Sequence, residues 1–161
     1  MIQTDIIIIC CLIFSAFFSG MEIAYISANR IFLEIEKDKQ NLVSKMLKII
    51  TKSPSKFISS MLVGNNISLV AYGIFMGERI IDILFPLIDL NEDPLKILLF
   101  QTLISTFIIL ITAEFLPKVF FQLYSNTLIR FFAIPATFFY YIFFPITFII
   151  INLSDLVLKL F

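Results

Sequence analysis

Phe107–Lys118 reads FIILITAEFLPK, and the reading of this stretch decides the fold. A carboxylate, Glu114, stands at the end of a long apolar run, and Pro117 and Lys118 follow it. An ionisable group at membrane depth costs roughly 3 kcal/mol or more on insertion scales, so it faces a partner, an ion or a water-filled cavity. The surrounding composition supports membrane depth. Of 161 residues, 60% are hydrophobic and 20 are Phe, more apolar side chain than a soluble domain of this size needs.

Composition also excludes several chemistries. The formal net charge is zero, so nothing points to nucleic acid or to a generally acidic partner. There is no His, which removes imidazole ligation and the usual general base. Cys10 and Cys11 are adjacent in an apolar run. They read as small core or lipid-facing residues, not as a disulfide framework or a thiolate metal site. An intramembrane hydrolase is disfavoured, because no Asp lies within a span core to act with Glu114 as an acid–base couple. The chain reads as a non-enzyme.

Outward from Glu114, the chain divides into apolar and polar blocks of a single all-α transmembrane domain covering residues 1–161. The first span runs over about 5–27. Ile6–Phe18 could pass for a signal-peptide core, but it lacks a positive leading segment and the apolar stretch runs on to Ile26, so it reads as a retained transmembrane helix. Ser15, Ser19, Gly20 and Glu22 inside it are unusual for a plain lipid anchor. Residues 29–56 are polar, with apolar residues at near-helical spacing. They read as two short amphipathic helices at the membrane surface, broken around Lys39–Asn41 and ended by Ser53-Pro54. The second span, about 57–88, is longer than a straight crossing needs, and Gly64-Asn65-Asn66 suggests a break or tilt. Asp89–Pro94 is a short acidic loop, and the third span covers about 95–119.

Seven Lys or Arg residues in the first loop mark it as cytoplasmic, which puts the N-terminus outside and Lys118 inside. The last apolar block, Phe131–Ile151, contains Pro135 and Pro145. It fits either a fourth span or a bent helix along the inner interface. Its Phe content reads as lipid contact or dimer packing.

Ser19, Asn65 and Glu114 each lie roughly 10 Å from the inner surface at 1.5 Å rise per residue. Three helices thus offer a hydroxyl, a carboxamide and a carboxylate at one depth, with Gly20 and Gly64 beside two of them. Glycine permits close helix approach and exposes carbonyls where a helix is broken. All the candidate ligands are oxygen donors: Ser19, Asn65 or Asn66, Glu114 and nearby carbonyls. Hard divalent cations take such a set, whereas thiolate or imidazole metals do not. Glu22, three residues from Ser19, adds a second charge or joins a hydrogen-bond network. The bland readings are helix glue for the Asn pair, small-residue packing for Ser19-Gly20 and an ion pair with Lys118 for Glu114.

Three motifs carry a family resemblance: Ser19-Gly20-Met21-Glu22-Ile23-Ala24, Leu62-Val63-Gly64-Asn65-Asn66, and Ala113-Glu114-Phe115-Leu116-Pro117-Lys118. In order and spacing the chain resembles the transmembrane domain of the CorC / cyclin-M (CNNM) family of magnesium transporters, along its whole length. The resemblance implies three spans, a cytoplasmic helical pair after the first, and a juxtamembrane belt over about 122–155, with the C-terminus cytoplasmic. It implies a homodimer in the lipid bilayer of the cell membrane that exports Mg²⁺, driven by Na⁺ in bacterial members. It also implies that Ser19, Asn65 or Asn66, and Glu114 coordinate the ion, with carbonyls around Gly20 and Gly64. Relatives often carry a further Asn where this chain has Leu69 with Ser68 beside it. The cytoplasmic CBS-type domains of relatives are absent from this sequence, which therefore reads as an excised domain or a minimal homologue. The rival expectation is a non-transporting membrane anchor or scaffold for such regulatory domains.

Overall fold

A computed structural model of the chain describes residues 2–84 and 94–160, and these are all-helical. The last part of the expected second span, 85–88, and residues 89–93 of the expected acidic loop lie outside the described residues. Helix α1 is Ile2–Ser27, α2 is Arg30–Asp38, α3 is Leu42–Lys52 and α4 is Pro54–Leu84. The third apolar block is α5, Pro94–Ile109, a π-helical segment Leu110–Phe115, and α6, Leu116–Leu123. Ser125–Phe131 forms α7 and Ala133–Leu160 forms α8.

Four helices among the described residues are long and apolar enough to cross a membrane by length and composition: Ile2–Ser27, Pro54–Gly77, Leu95–Leu123 and Ala133–Ser154. Three spans are expected from the sequence, and the fourth candidate falls on the block read as the belt. That block is also not one element, because it contains the end of α6, then α7, then α8.

The polar hairpin follows its local signals. Asn29 caps α2, its side chain accepting from the N–H groups of Ile31 and Phe32 at 2.8 and 3.3 Å. Asn41 caps α3 through the Ser44 N–H at 2.8 Å. Both caps satisfy donors that a helix start leaves unpaired. Pro54 then ends the hairpin by opening α4, where its missing N–H costs nothing. Leu33, Leu47 and Ile50 turn inward and are buried with Phe57, Met61 and Ile129. Each side chain withdrawn from water in this way contributes about 1.5–3 kcal/mol.

α1 is the central element. Its buried residues Ile8, Cys11, Ser15, Phe18, Ser19 and Met21 recur at helical spacing and face α4 along most of their length, with the π-helical segment, α6 and α7 packed beside them. A second cluster of Ile8, Cys11 and Tyr72 joins the far ends of α1, α4 and α5. There the Arg79 guanidinium lies 2.7 Å from Asp5. α4 is continuous from Pro54 to Leu84, so Gly64-Asn65-Asn66 does not break it. Gly64 of α4 and Gly20 of α1 serve packing instead. A Cβ on Gly64 would lie 2.8–2.9 Å from the Phe143 and Phe18 rings, and one on Gly20 would lie 2.6 Å from Phe121. Part of the Phe content is therefore internal. Phe139 stands edge-on to Phe18 with centroids 5.0 Å apart.

Candidate functional site

Two hydroxyls one turn apart on α1 organise the site. Ser15 and Ser19 are both fully buried, and their four-residue spacing puts them on one helix face. Ser15 donates to the Asn65 side-chain oxygen at 2.6 Å. Ser19 donates to the Ala113 carbonyl at 2.8 Å. Ser68, one turn beyond Gly64 on α4, is buried and donates to the Gly64 carbonyl at 2.9 Å.

The Ser19 bond has a local cause. In an α-helix the carbonyl of Ala113 would accept from the N–H of residue 117, but that residue is proline and has none. The backbone responds by widening into the π-helical segment directly before Pro117, and the Leu116 N–H reaches back to the Ile111 carbonyl. Insertions of this kind are frequent at functional sites. The Ala113 carbonyl is fully buried, and the hydroxyl of α1 supplies a donor to it. Because Ser19 spends its proton on that carbonyl, its oxygen lone pairs stay free to accept.

Of the expected site residues, Ser19 and Asn65 are therefore brought to one polar seam, one turn apart along α1, and Ser19 bonds the backbone directly before Glu114. The Glu114 carboxylate is partly exposed and lies 3.6 Å from the Lys118 ammonium. Glu22 is half-buried on the same side of α1, and Lys118 and Glu114 are the charges that act on it. Two carboxylates and one ammonium thus gather on the Lys118 side of the seam. Asn65 is 5% exposed, whereas Asn66 is exposed on the opposite face of α4, so a single chain does not bring Asn66 to the seam. Gly20 is buried against Phe121, and the Gly64 carbonyl already accepts the Ser68 hydroxyl.

Three features escape sequence reading. Ser15 joins Asn65, and its signal was the i, i+4 relation to Ser19. The Ala113 carbonyl is a polar member of the site, and its signal was Pro117 four residues on. Glu36 lies in the polar hairpin, yet it is 2% exposed, and no spacing rule marks it. Among the described residues no group of three or more His, Cys, Asp or Glu side chains is gathered as a metal cluster. Any cation here would be held mainly by neutral oxygens with one or two carboxylates, a donor set suited to hard ions.

Residues 6–161 match the family described as the cyclin M transmembrane N-terminal domain. The chain is also similar to the UPF0053 inner membrane protein YfjD of Escherichia coli (strain K12), with 29% identity over 127 residues. That similarity covers 77% of this chain and 26% of the relative, so the chain spans about a quarter of that protein's length. The match over nearly the whole chain, together with four helices apolar and long enough for a bilayer, shows that the chain is a multi-pass membrane protein belonging to the cyclin M (CNNM) transmembrane domain family.

Proposed function

We propose that this chain is the membrane domain of a Mg²⁺ transporter that takes dehydrated Mg²⁺ into an intramembrane pocket open to the cytoplasm and moves it outward. The observation that carries the reading is the polar seam. Three separate helices bring a hydroxyl, a carboxamide and a carboxyl-bearing π turn to within one helical turn of each other, as the Ser15–Asn65 and Ser19–Ala113 bonds record. Ser19 and Asn65 supply neutral oxygens and Glu114 supplies charge. One carboxylate offsets half of a divalent charge, and Glu22, one turn from Ser19 on α1, is the proposed source of the remainder. The glycine carbonyls at 20 and 64 lie inside continuous helices, and that of Gly64 already accepts the Ser68 hydroxyl, so the proposed set is Ser19, Asn65 and the carboxylates. Alternating access follows from rearrangement at the π turn, where a second hydrogen-bond pattern is one residue's shift away. Na⁺ is the proposed coupling ion.

The reading carries a topology. Basic residues of α2 and α3 put the hairpin in the cytoplasm, the N-terminus outside and Lys118 inside. α1, α4 and the α5–α6 unit cross the bilayer, and α8 lies along the inner leaflet as a belt. Its pairings support a crossing geometry. Tyr140 meets Phe57, Phe143 meets Gly64 and Thr147 meets Ser60, while Phe139 meets Phe14 and Phe18. Over about 12 Å of α8 the positions met on α4 run out of sequence order, without the steady register of helices lying side by side. A homodimer accounts for the outer face of α4, where the Asn66 amide lies among exposed Leu62 and Val70. Lipid offers that amide no partner.

The rival, a membrane anchor for cytoplasmic domains, is favoured by one observation, the Glu114–Lys118 ion pair. A pair this long and this exposed is worth under about 1 kcal/mol in water, which gives little structural reason to keep a carboxylate there. Purified protein in liposomes separates the two readings. The transporter moves Mg²⁺ down an imposed gradient, responds to Na⁺, and loses flux with Glu114→Gln. Equal flux in both forms, or none in either, supports the anchor.

A further inference from the structure

The buried Glu36 carboxylate lies outside the seam and has no part in the ion chemistry. It is 2% exposed on the last turn of α2. One of its oxygens pairs with the Lys39 ammonium, and the other, Oε2, has no hydrogen-bond donor. The Arg130 Nε of α7 lies 3.6 Å from Oε2, on a side chain that is 54% exposed. A buried carboxylate oxygen left without a donor is costly, and removing one of the two cations that flank the carboxylate adds to that cost. Arg130 is thus held close to Glu36, just short of a hydrogen bond.

α7 makes two further polar contacts with the same region. The Ser125 hydroxyl donates to the carbonyl of Ser27, the last residue of α1, at 3.3 Å. The Asn29 N–H, at the junction of α1 and α2, donates to the Asn126 side-chain oxygen at 2.8 Å. Ile129, beside Arg130 on the next turn of α7, is fully buried. α7 also follows α6 after a single residue, so it continues the helix that carries Glu114 and Lys118. The chain therefore reaches from the seam to the hairpin through one short helix fastened by three polar ties.

We propose that the Glu36–Arg130 pair is a latch that seats α7 on the α1–α2 junction and thereby positions the Glu114-bearing helix against Ser19. This rests on the ion-site reading above. Arg130 and Glu36 are positioning residues in this account, since neither touches the seam. With the latch closed, the inner ends of α1 and α6 are tied and the Ser19–Ala113 bond is held. With it broken, α7 lifts from Ser27 and the seam loosens.

The test uses the full chain with Cys10 and Cys11 replaced by Ala, and with Ser27→Cys and Ser125→Cys as a cross-linking pair that reports seating of α7. Mg²⁺ binding is titrated in parallel on protein without that pair. Arg130→Gln is expected to slow cross-linking at least fivefold and to raise the Mg²⁺ concentration for half-saturation about tenfold. Arg130→Lys restores most of both. In a Glu36→Gln background the effect of Arg130→Gln shrinks to under twofold, because a neutral amide needs no countercharge. Unchanged cross-linking in Arg130→Gln overturns the latch. Slowed cross-linking with unchanged half-saturation overturns its role in positioning the site. A parent protein that binds no Mg²⁺ but still shows the cross-linking pattern overturns the ion-site reading and the positioning claim with it, and leaves α7 as a structural fastening.

Discussion

Gly20 shows how a single hydrogen atom is used in this bundle. A Cβ there would come 2.6 Å from the Phe121 ring, and Phe121 is itself buried and stacked on Phe132 at 5.7 Å. The ring can yield only by disturbing its stacking on Phe132. Gly20→Ala is therefore expected to destabilise the protein by about 1–3 kcal/mol, as overpacking generally does, and to lower the melting temperature in detergent. Gly73 is the internal control, since a Cβ there meets nothing within 4 Å. Gly73→Ala should leave the melting temperature unchanged or raise it, because Ala is the better helix former by about 1 kcal/mol. An equal drop in both variants would contradict the packing argument. Sequence reading marks Gly20 as a close-approach or carbonyl-exposing site but gives no measure of what a Cβ would meet there or at Gly73. The difference lies in which aromatic ring arrives from a distant part of the chain.

At the scale of the element, the π-helical turn explains why Ser19, Pro117 and Glu114 belong together. Pro117 deprives the Ala113 carbonyl of its helical donor, and Ser19 supplies one across the bundle at 2.8 Å. The two residues should therefore be coupled. Ser19→Ala is expected to cost about 1 kcal/mol or somewhat more, within the range for a buried acceptor losing its partner. In a Pro117→Ala background the restored N–H meets the carbonyl and the cost of Ser19→Ala should fall by at least half. Equal costs in both backgrounds, measured by thermal melting of the four proteins, would sink this account. Element existence is legible in the sequence here, because apolar runs and Asn caps act locally. Of the expected break or tilt at Gly64-Asn65-Asn66, the break does not occur, since the Asn65 side-chain oxygen is satisfied by Ser15 of a neighbouring helix and α4 has no need to open. The π turn is equally hidden, because a proline specifies that a hydrogen bond is lost but not how the backbone adjusts.

Over the whole molecule, the outward face of α4 is the surface that a single chain leaves unexplained. Exposed Leu62, Val70 and Ile74 line it together with the Asn66 amide and open space at Gly73. Gly73→Leu fits the isolated fold. In a homodimer packed on this face it should shift the protein toward monomer in light scattering without lowering its helix content, whereas an unchanged mass would place the dimer contact elsewhere. Residue depth is readable from the sequence because rise per residue is fixed, and the structure has Asn65 bonded to Ser15 and the Ala113 carbonyl bonded to Ser19. Side-chain direction is not readable in the same way. The Glu114 carboxylate turns toward Lys118 and Glu22, and Asn66 turns away from the seam. The central claim is that this seam holds a hard divalent cation through Glu114. A calorimetric Mg²⁺ titration of the purified chain tests it most directly. The account predicts saturable binding that weakens at least tenfold in Glu114→Gln; identical isotherms for the two proteins would contradict it.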